Sequence, residues 1–168
     1  TYQWIPSDTS GSWPIDLENW FKPGKFDIYI IGDLDADAIG KQQLTELAKT
    51  ISAGAGLLTL GGYQTYGAGG YATSPLSDAI PVQMDRSRRR DVASPHENRA
   101  GHLAGPITIQ LARHHPITDL GGEDPAARWS QLPPQLGANE FLAPKVAPGV
   151  QVLLETKDTK PLLVVGEY

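Results

Sequence analysis

Near the front of the chain two apolar runs bracket an amphipathic stretch. Phe26-Asp27-Ile28-Tyr29-Ile30-Ile31-Gly32 is apolar at most positions, the pattern of a strand buried on both faces of a parallel sheet. From Ile39 to Ala53 the period changes to that of a helix. Ile39, Leu44, Leu47, Ala48 and Ile51 line one face, and Lys41, Gln42, Glu46 and Lys49 the other. Asp35 or Asp37 suits the cap of this helix, and Gly54 follows its end where a left-handed residue closes the last turn. Leu57–Leu60 is a second short strand. Strand, helix and strand in this order predict a right-handed crossover joining two parallel strands.

Beyond Leu60 the pattern is more broken. Ser74–Ile80 fits a short helical turn and Pro81–Met84 an extended piece. Pro106–Leu111 alternates as a half-buried strand does, and His114–Leu120 reads as a turn. Asp124-Pro125 opens a capped short helix through Trp129. Val150–Leu154 and Pro161–Val165 predict two strands, and Asp158-Thr159-Lys160 suits a hairpin turn between them. The whole of 1–168 reads as one domain in three parts: an irregular aromatic lead-in (1–25), the strand–helix–strand unit with its glycine loop (26–84), and a loop-rich back half (85–168). In the lead-in, Trp4, Trp13 and Trp20 suit pinning an irregular segment to the core better than stacking on sugars, with Trp13-Pro14 opening a short helix through Trp20.

Composition narrows the function. The apolar fraction of 40% and charged fraction of 20% are those of a soluble globular domain. A net charge of −5 argues against a nucleic-acid partner. No apolar stretch approaches a membrane span, so this segment is expected to make no membrane contact; its compartment stays open. There is no cysteine, which removes disulfides, thiolate metal ligands and a cysteine nucleophile. The chain lacks an initiator Met and stops just after an apolar run, so the expectation is a piece of a longer polypeptide.

Candidate chemistry gathers where strands end. Gly61-Gly62-Tyr63-Gln64-Thr65-Tyr66-Gly67-Ala68-Gly69-Gly70-Tyr71 follows the second strand, and ligands in open α/β sheets sit beyond such carboxyl ends. A glycine loop can equally just turn a corner. Asp33, Asp35 and Asp37 follow the first strand and suit either helix capping or acid–base and cation chemistry; no calcium-loop spacing continues from them. His96 with His102, and His114 with His115, do not have the spacing of zinc-binding helices, so no metal is expected. Arg86-Ser87-Arg88-Arg89-Arg90 suits a solvated or ion-paired loop better than a phosphate site. Neither a nucleophile elbow, a phosphate loop nor a dinucleotide fingerprint occurs, and no cofactor is expected.

Three blocks carry a family resemblance: Gly61-Gly62-Tyr63, Gly69-Gly70-Tyr71-Ala72 and Pro75-Leu76-Ser77-Asp78-Ala79-Ile80-Pro81-Val82. With Phe26–Asp33, Ala53–Gly62, His115-Pro116-Ile117, Trp129, Leu132-Pro133 and Pro161–Tyr168, they resemble the class I glutamine amidotransferase-like superfamily. The branch is that of the amidotransferase-like domains of planctomycete-type bacterial proteins. The resemblance spans about residues 13–168. It implies an α/β, flavodoxin-like three-layer sandwich, parallel in front, partly antiparallel and loop-rich behind, and incomplete at its ends. It also implies that Gly61 and Gly62 stand where working members place backbone N–H groups for an oxyanion. The cysteine of those enzymes is missing, and Ile117 stands where their catalytic glutamate would follow His115-Pro116.

The resemblance therefore implies a pseudoenzyme with no catalytic residue of its own, a ligand- or partner-binding module of a larger bacterial protein that can itself be membrane-anchored. Its partners would be other regions of that polypeptide or a separate protein. Asp33, Asp35, Gly61, Gly62, Tyr63, Gln64, Gly69, Gly70 and Tyr71 are the expected binding residues. Two alternatives stand beside it: a hydrolase or carbohydrate-processing enzyme using Asp33, Asp35 or the histidines, and a structural scaffold in an assembly. A large apolar surface where the missing strands belong would mark the scaffold.

Overall fold

A computed structural model describes residues 17–90 and 101–168. Trp4, Trp13, His96 and Glu97, and the readings made on them, lie outside the described residues. The chain is of mixed α/β class, with a parallel pair of strands in front and antiparallel pairs behind.

The front unit forms as the apolar pattern predicts. A short helix α1 (Leu17–Trp20) leads into β1 (Ile28–Ile31). Trp20 is buried, and its carbonyl accepts a 2.7 Å hydrogen bond from the Tyr29 hydroxyl, so this tryptophan does pin the lead-in to the core. β1 pairs parallel with β2 (Gly56–Thr59), Ile28 beside Gly56 through Ile31 beside Thr59. The connecting helix is divided. Gly40, at φ 92°, separates α2 (Ala36–Ile39) from α3 (Lys41–Ser52), where a single helix from Ile39 to Ala53 was expected. Glycine adopts that left-handed backbone without a Cβ penalty, so the chain turns there instead of running on. Gly54, at φ 109°, closes the far end of α3 as predicted.

Leu44, Leu47 and Ile51 of α3 pack on Tyr29 and Ile31 of β1, with Tyr71, Leu76, Ile80 and Val82 completing the core. The first strand is thus buried on one face only, which corrects the expectation of two. Tyr29 and Ile31 point inward, while Ile28 and Ile30 are 65% and 64% exposed. Continuous apolar sequence does not distinguish a covered face from a bare one.

The back half consists of small antiparallel ladders. β3 (Val82–Gln83) pairs with β7 (Ala143–Pro144), and β4 (His102–Ile107) with β6 (Gln135–Asn139). β5 (Ile109–Leu111) pairs with β8 (Gln151–Thr156), which forms the predicted hairpin with β9 (Pro161–Val165). The single strand expected over Pro106–Leu111 is two strands in two sheets. The β4 register shifts between Ala104 and Ile107, where Gly105 lies against the Gln135 and Leu136 carbonyls and Pro106 offers no N–H to the ladder. Before β6, helix α4 (Pro125–Ser130) starts as expected, with Asp124 accepting from the Ala127 N–H at 3.0 Å.

An ion-pair network ties these pieces together. Glu140 receives Lys160 at 2.5 Å and Arg88 at 3.1 Å, and Arg88 also reaches Asp85 at 3.2 Å. The Lys160 hydrogen bond, then that of Arg88, holds the Glu140 carboxyl below its ordinary range. A carboxylate with a lowered folded-state pKa contributes stability above its unfolded-state value, and that contribution disappears as pH falls through the folded-state value. Glu140→Gln is therefore expected to cost less than about 1 kcal/mol near neutrality, because the group is partly exposed, and to flatten the acid limb of stability. Urea unfolding at a series of pH values checks this; an unchanged acid limb would remove the network's role.

Candidate functional site

The carboxyl ends of β1 and β2 deliver two loops to one place. The ladder continues one step past β2, with the Leu60 N–H donating to the Ile31 carbonyl at 2.8 Å. Beyond it, the Asp33 carboxylate accepts from the Gln64 N–H, and the Thr65 hydroxyl lies 3.3 Å from both Asp33 and the Gly32 carbonyl. A Cβ on Gly62 would collide with the Asp33 side chain, and one on Gly61 with the Asn139 side-chain oxygen. These glycines permit close approach of neighbouring chain. Neither of their N–H groups meets a backbone acceptor among the described residues.

A second cluster lies where the loop returns. Asp35 caps α2 by accepting from the Asp37 N–H at 2.8 Å, and the Ala36 N–H donates to the Gly69 carbonyl at 2.8 Å. The N-terminus of α2 is thus occupied by its own chain. Arg89 binds Asp35 through both terminal nitrogens, reaches Asp37 at 2.7 Å, and donates to the Ala68 carbonyl at 3.2 Å. This fork is the ion-paired outcome expected of the basic run, although Arg90 beside it is buried instead of solvated. Gly70, at φ 82°, lies under the Arg89 guanidinium. Tyr71 is fully buried and donates to the Leu34 carbonyl at 2.9 Å. Burial first, then the charges of Asp35 and Asp33, raise its pKa far above the ordinary phenol value, so it stays a neutral donor.

The third cluster comes from the back half. His102 Nε2 lies 2.9 Å from the Gly62 carbonyl, and Asn139 Nδ2 donates to the same carbonyl at 2.9 Å. A carbonyl only accepts, so Nε2 is the protonated nitrogen in this contact. The His102 Nδ1 atom is buried with no hydrogen-bond partner among the described residues. The Tyr63 ring stacks on His102 at 4.8 Å with 42% of the residue exposed, and Arg90 lies 5.9 Å from the same ring.

The predicted residues therefore separate by place. Asp33, Gly61, Gly62, Tyr63 and Gln64 come together with Thr65, His102 and Asn139 at the crevice. Asp35, Gly69 and Gly70 join Arg89 in an ion-paired corner, and Tyr71 belongs to the core. Asn139 was not foreseen: it lies 77 residues from Gly62, and no local pattern marks an isolated asparagine. The role of Arg89 was visible only as one member of a basic run.

Chemically the crevice is lined by polar groups that bond to one another. The hollow bordering the loop, lined by Thr65, Tyr66, Met84, Asn139 and Phe141 among others, holds about 10 Å³. That is about the room of a single water. Thr65 bonds toward Asp33 and Gly32, and Ser74 toward the Tyr71 carbonyl. Neither hydroxyl has a histidine partner among the described residues, so they show no nucleophile–base pair there. His114 and His115 belong to the α4 side of the chain, where His115 accepts from the Ile117 N–H at 3.2 Å. No group of three or more metal-ligating side chains occurs among the described residues, and none of their helices is long and apolar enough to cross a membrane. Compared with known proteins, the chain matches no family model and no curated sequence.

Proposed function

We propose that this chain is a non-catalytic, amidotransferase-like module that works by binding a protein partner, within a larger bacterial protein and on a flavodoxin-like three-layer plan. The observation that carries this reading is the mismatch between crevice and surface. At the crevice beyond β1 and β2 the polar groups already bond within the chain, His102 and Asn139 to the Gly62 carbonyl and Asp33 to the Gln64 N–H. Meanwhile Ile28, Ile30, Leu58 and Leu60 stay exposed on the parallel pair. A contiguous exposed apolar patch marks a protein contact. The scaffold reading, in which the partner is a neighbour in an assembly, would use the same patch. The enzyme reading has less support, because Asp35 is held by Arg89 and Asp33 by the Gln64 N–H.

Two measurements on the purified chain test the proposal. Ammonia release from L-glutamine is expected to equal the buffer blank. Thermal unfolding is expected not to shift with glutamine, simple carboxylates, mono- and oligosaccharides or divalent cations. Turnover that Asp33→Asn abolishes, or saturable stabilisation by one of these compounds that Asp33→Asn or His102→Ala abolishes, would replace partner binding with a ligand or enzyme function.

A further inference from the structure

We infer that the outer face of the β1–β2 pair is the docking site for an amphipathic helix of the protein partner, an inference that rests on the partner-binding reading and names the partner's contacting element. In-register parallel neighbours point to the same side, so Ile30 stands beside Leu58 and Ile28 beside Gly56. Leu60 extends the row one step further. Ile28 is 65% exposed, Ile30 64%, Leu58 41% and Leu60 48%. No charged residue occurs from 28 to 31 or from 56 to 60, so the contacting side of an occupant must be apolar.

Size decides between occupants. The four side chains present on the order of 400 Å² of apolar surface, a patch of functional size on a monomer. A stable interface between two globular copies buries about 800 Å² on each, roughly twice what this face offers. A strand added at the free edge of β1 or β2 would pair backbone but leave the four side chains bare. An element lying across the face is needed. Five residues of strand span about 16 Å, the length of roughly eleven helical residues at about 1.5 Å each. The opposite face of the same pair is covered in this way, by the 12-residue α3 through Leu44, Leu47 and Ile51. The occupant is therefore a helix of about three turns with apolar residues at i, i+3, i+4 and i+7.

The test uses isotope-labelled chain and two synthetic peptides of identical Leu/Lys/Glu composition, one with leucines at helical spacing and one with leucines alternating. The helical peptide is expected to shift the amide resonances of 28–31 and 56–60. Ile30→Glu should weaken its binding about tenfold or more, and Gln42→Glu on the exposed side of α3 should leave it unchanged. Shifts on the wild-type chain need no variant to fold, so a misfolded Ile30→Glu protein does not obscure the result. Preferential binding of the alternating peptide, concentration-dependent dimerisation abolished by Ile30→Glu, or no shift in these amides at millimolar peptide overturns the helix assignment. Those outcomes are distinct from saturable small-molecule binding in the crevice, which would instead overturn the partner reading itself.

Discussion

Gly69→Ala is expected to destabilise the chain by about 3 kcal/mol, the upper part of the range for forcing atoms into a packed site. A Cβ there would land on the Gln64 carbonyl oxygen, 2.5 Å from the carbonyl carbon and 3.0 Å from the Thr65 Cα. All three atoms are backbone, so no rotamer change relieves the clash. The shift required would also move the Gly69 carbonyl from the Ala36 N–H and disturb the start of α2. Gly32→Ala is the control, because a Cβ at Gly32 has nothing within 4 Å and φ there is unexceptional. Urea unfolding of the two variants should show a large loss of midpoint for the first and little change for the second, at constant m. Equal stability of both would mean that the loop's glycines are not packing glycines, and would return Gly69 to the list of ligand contacts.

Arg89→Met should cost about 2 kcal/mol. The Asp35 side chain is 8% exposed, and removing its partner leaves a buried carboxylate whose remaining hydrogen bond comes from the Asp37 N–H. The figure sits below that for a fully buried pair because Arg89 itself is one-third exposed and its second partner, Asp37, is 87% exposed. Asp35→Asn in the Arg89→Met background should recover part of the loss, because a neutral amide oxygen still caps α2 while carrying no unpaired charge. Additive losses in this double-mutant cycle would show that the fork contributes through packing alone.

Gly69 and Asp35 stood among the expected binding residues, and Arg89 in a basic run expected to be solvated or ion-paired. The front of the chain was legible because each element there is dictated locally. The period of Leu44, Leu47 and Ile51 sets the α3 face and Gly54 closes its end, whereas the expected aspartate cap falls on α2, α3 starting at Gly40 with no side-chain cap. The hairpin of β8 and β9 was legible for the same reason, its turn lying between two apolar runs. The break at Gly40 was missed because a lone glycine in an amphipathic pattern is compatible with a continuous helix. The split after Pro106 was missed because alternation continues from Ile107 to Ile109 while the pairing partner changes from Gln135 to Thr156.

The candidate site divides in the same way. Placing Asp33 and Gly61–Gln64 at the ends of parallel strands needed only the strand–helix–strand order, and the structure brings them within one hydrogen-bonded crevice. That Asn139 and His102 reach it depends on contacts between segments about 77 and 40 positions apart, which no local pattern encodes. The absence of cysteine was decided by the sequence alone, and with it the loss of thiol chemistry. So were the apolar character of β1 and β2 and the acidic balance of the whole. Only the tertiary structure decided which apolar face stays bare and which glycines are crowded by backbone. It also paired Arg89 with Asp35 and Asp37. Periodicity reports what a side chain prefers; burial and pairing depend on which distant segments reach it.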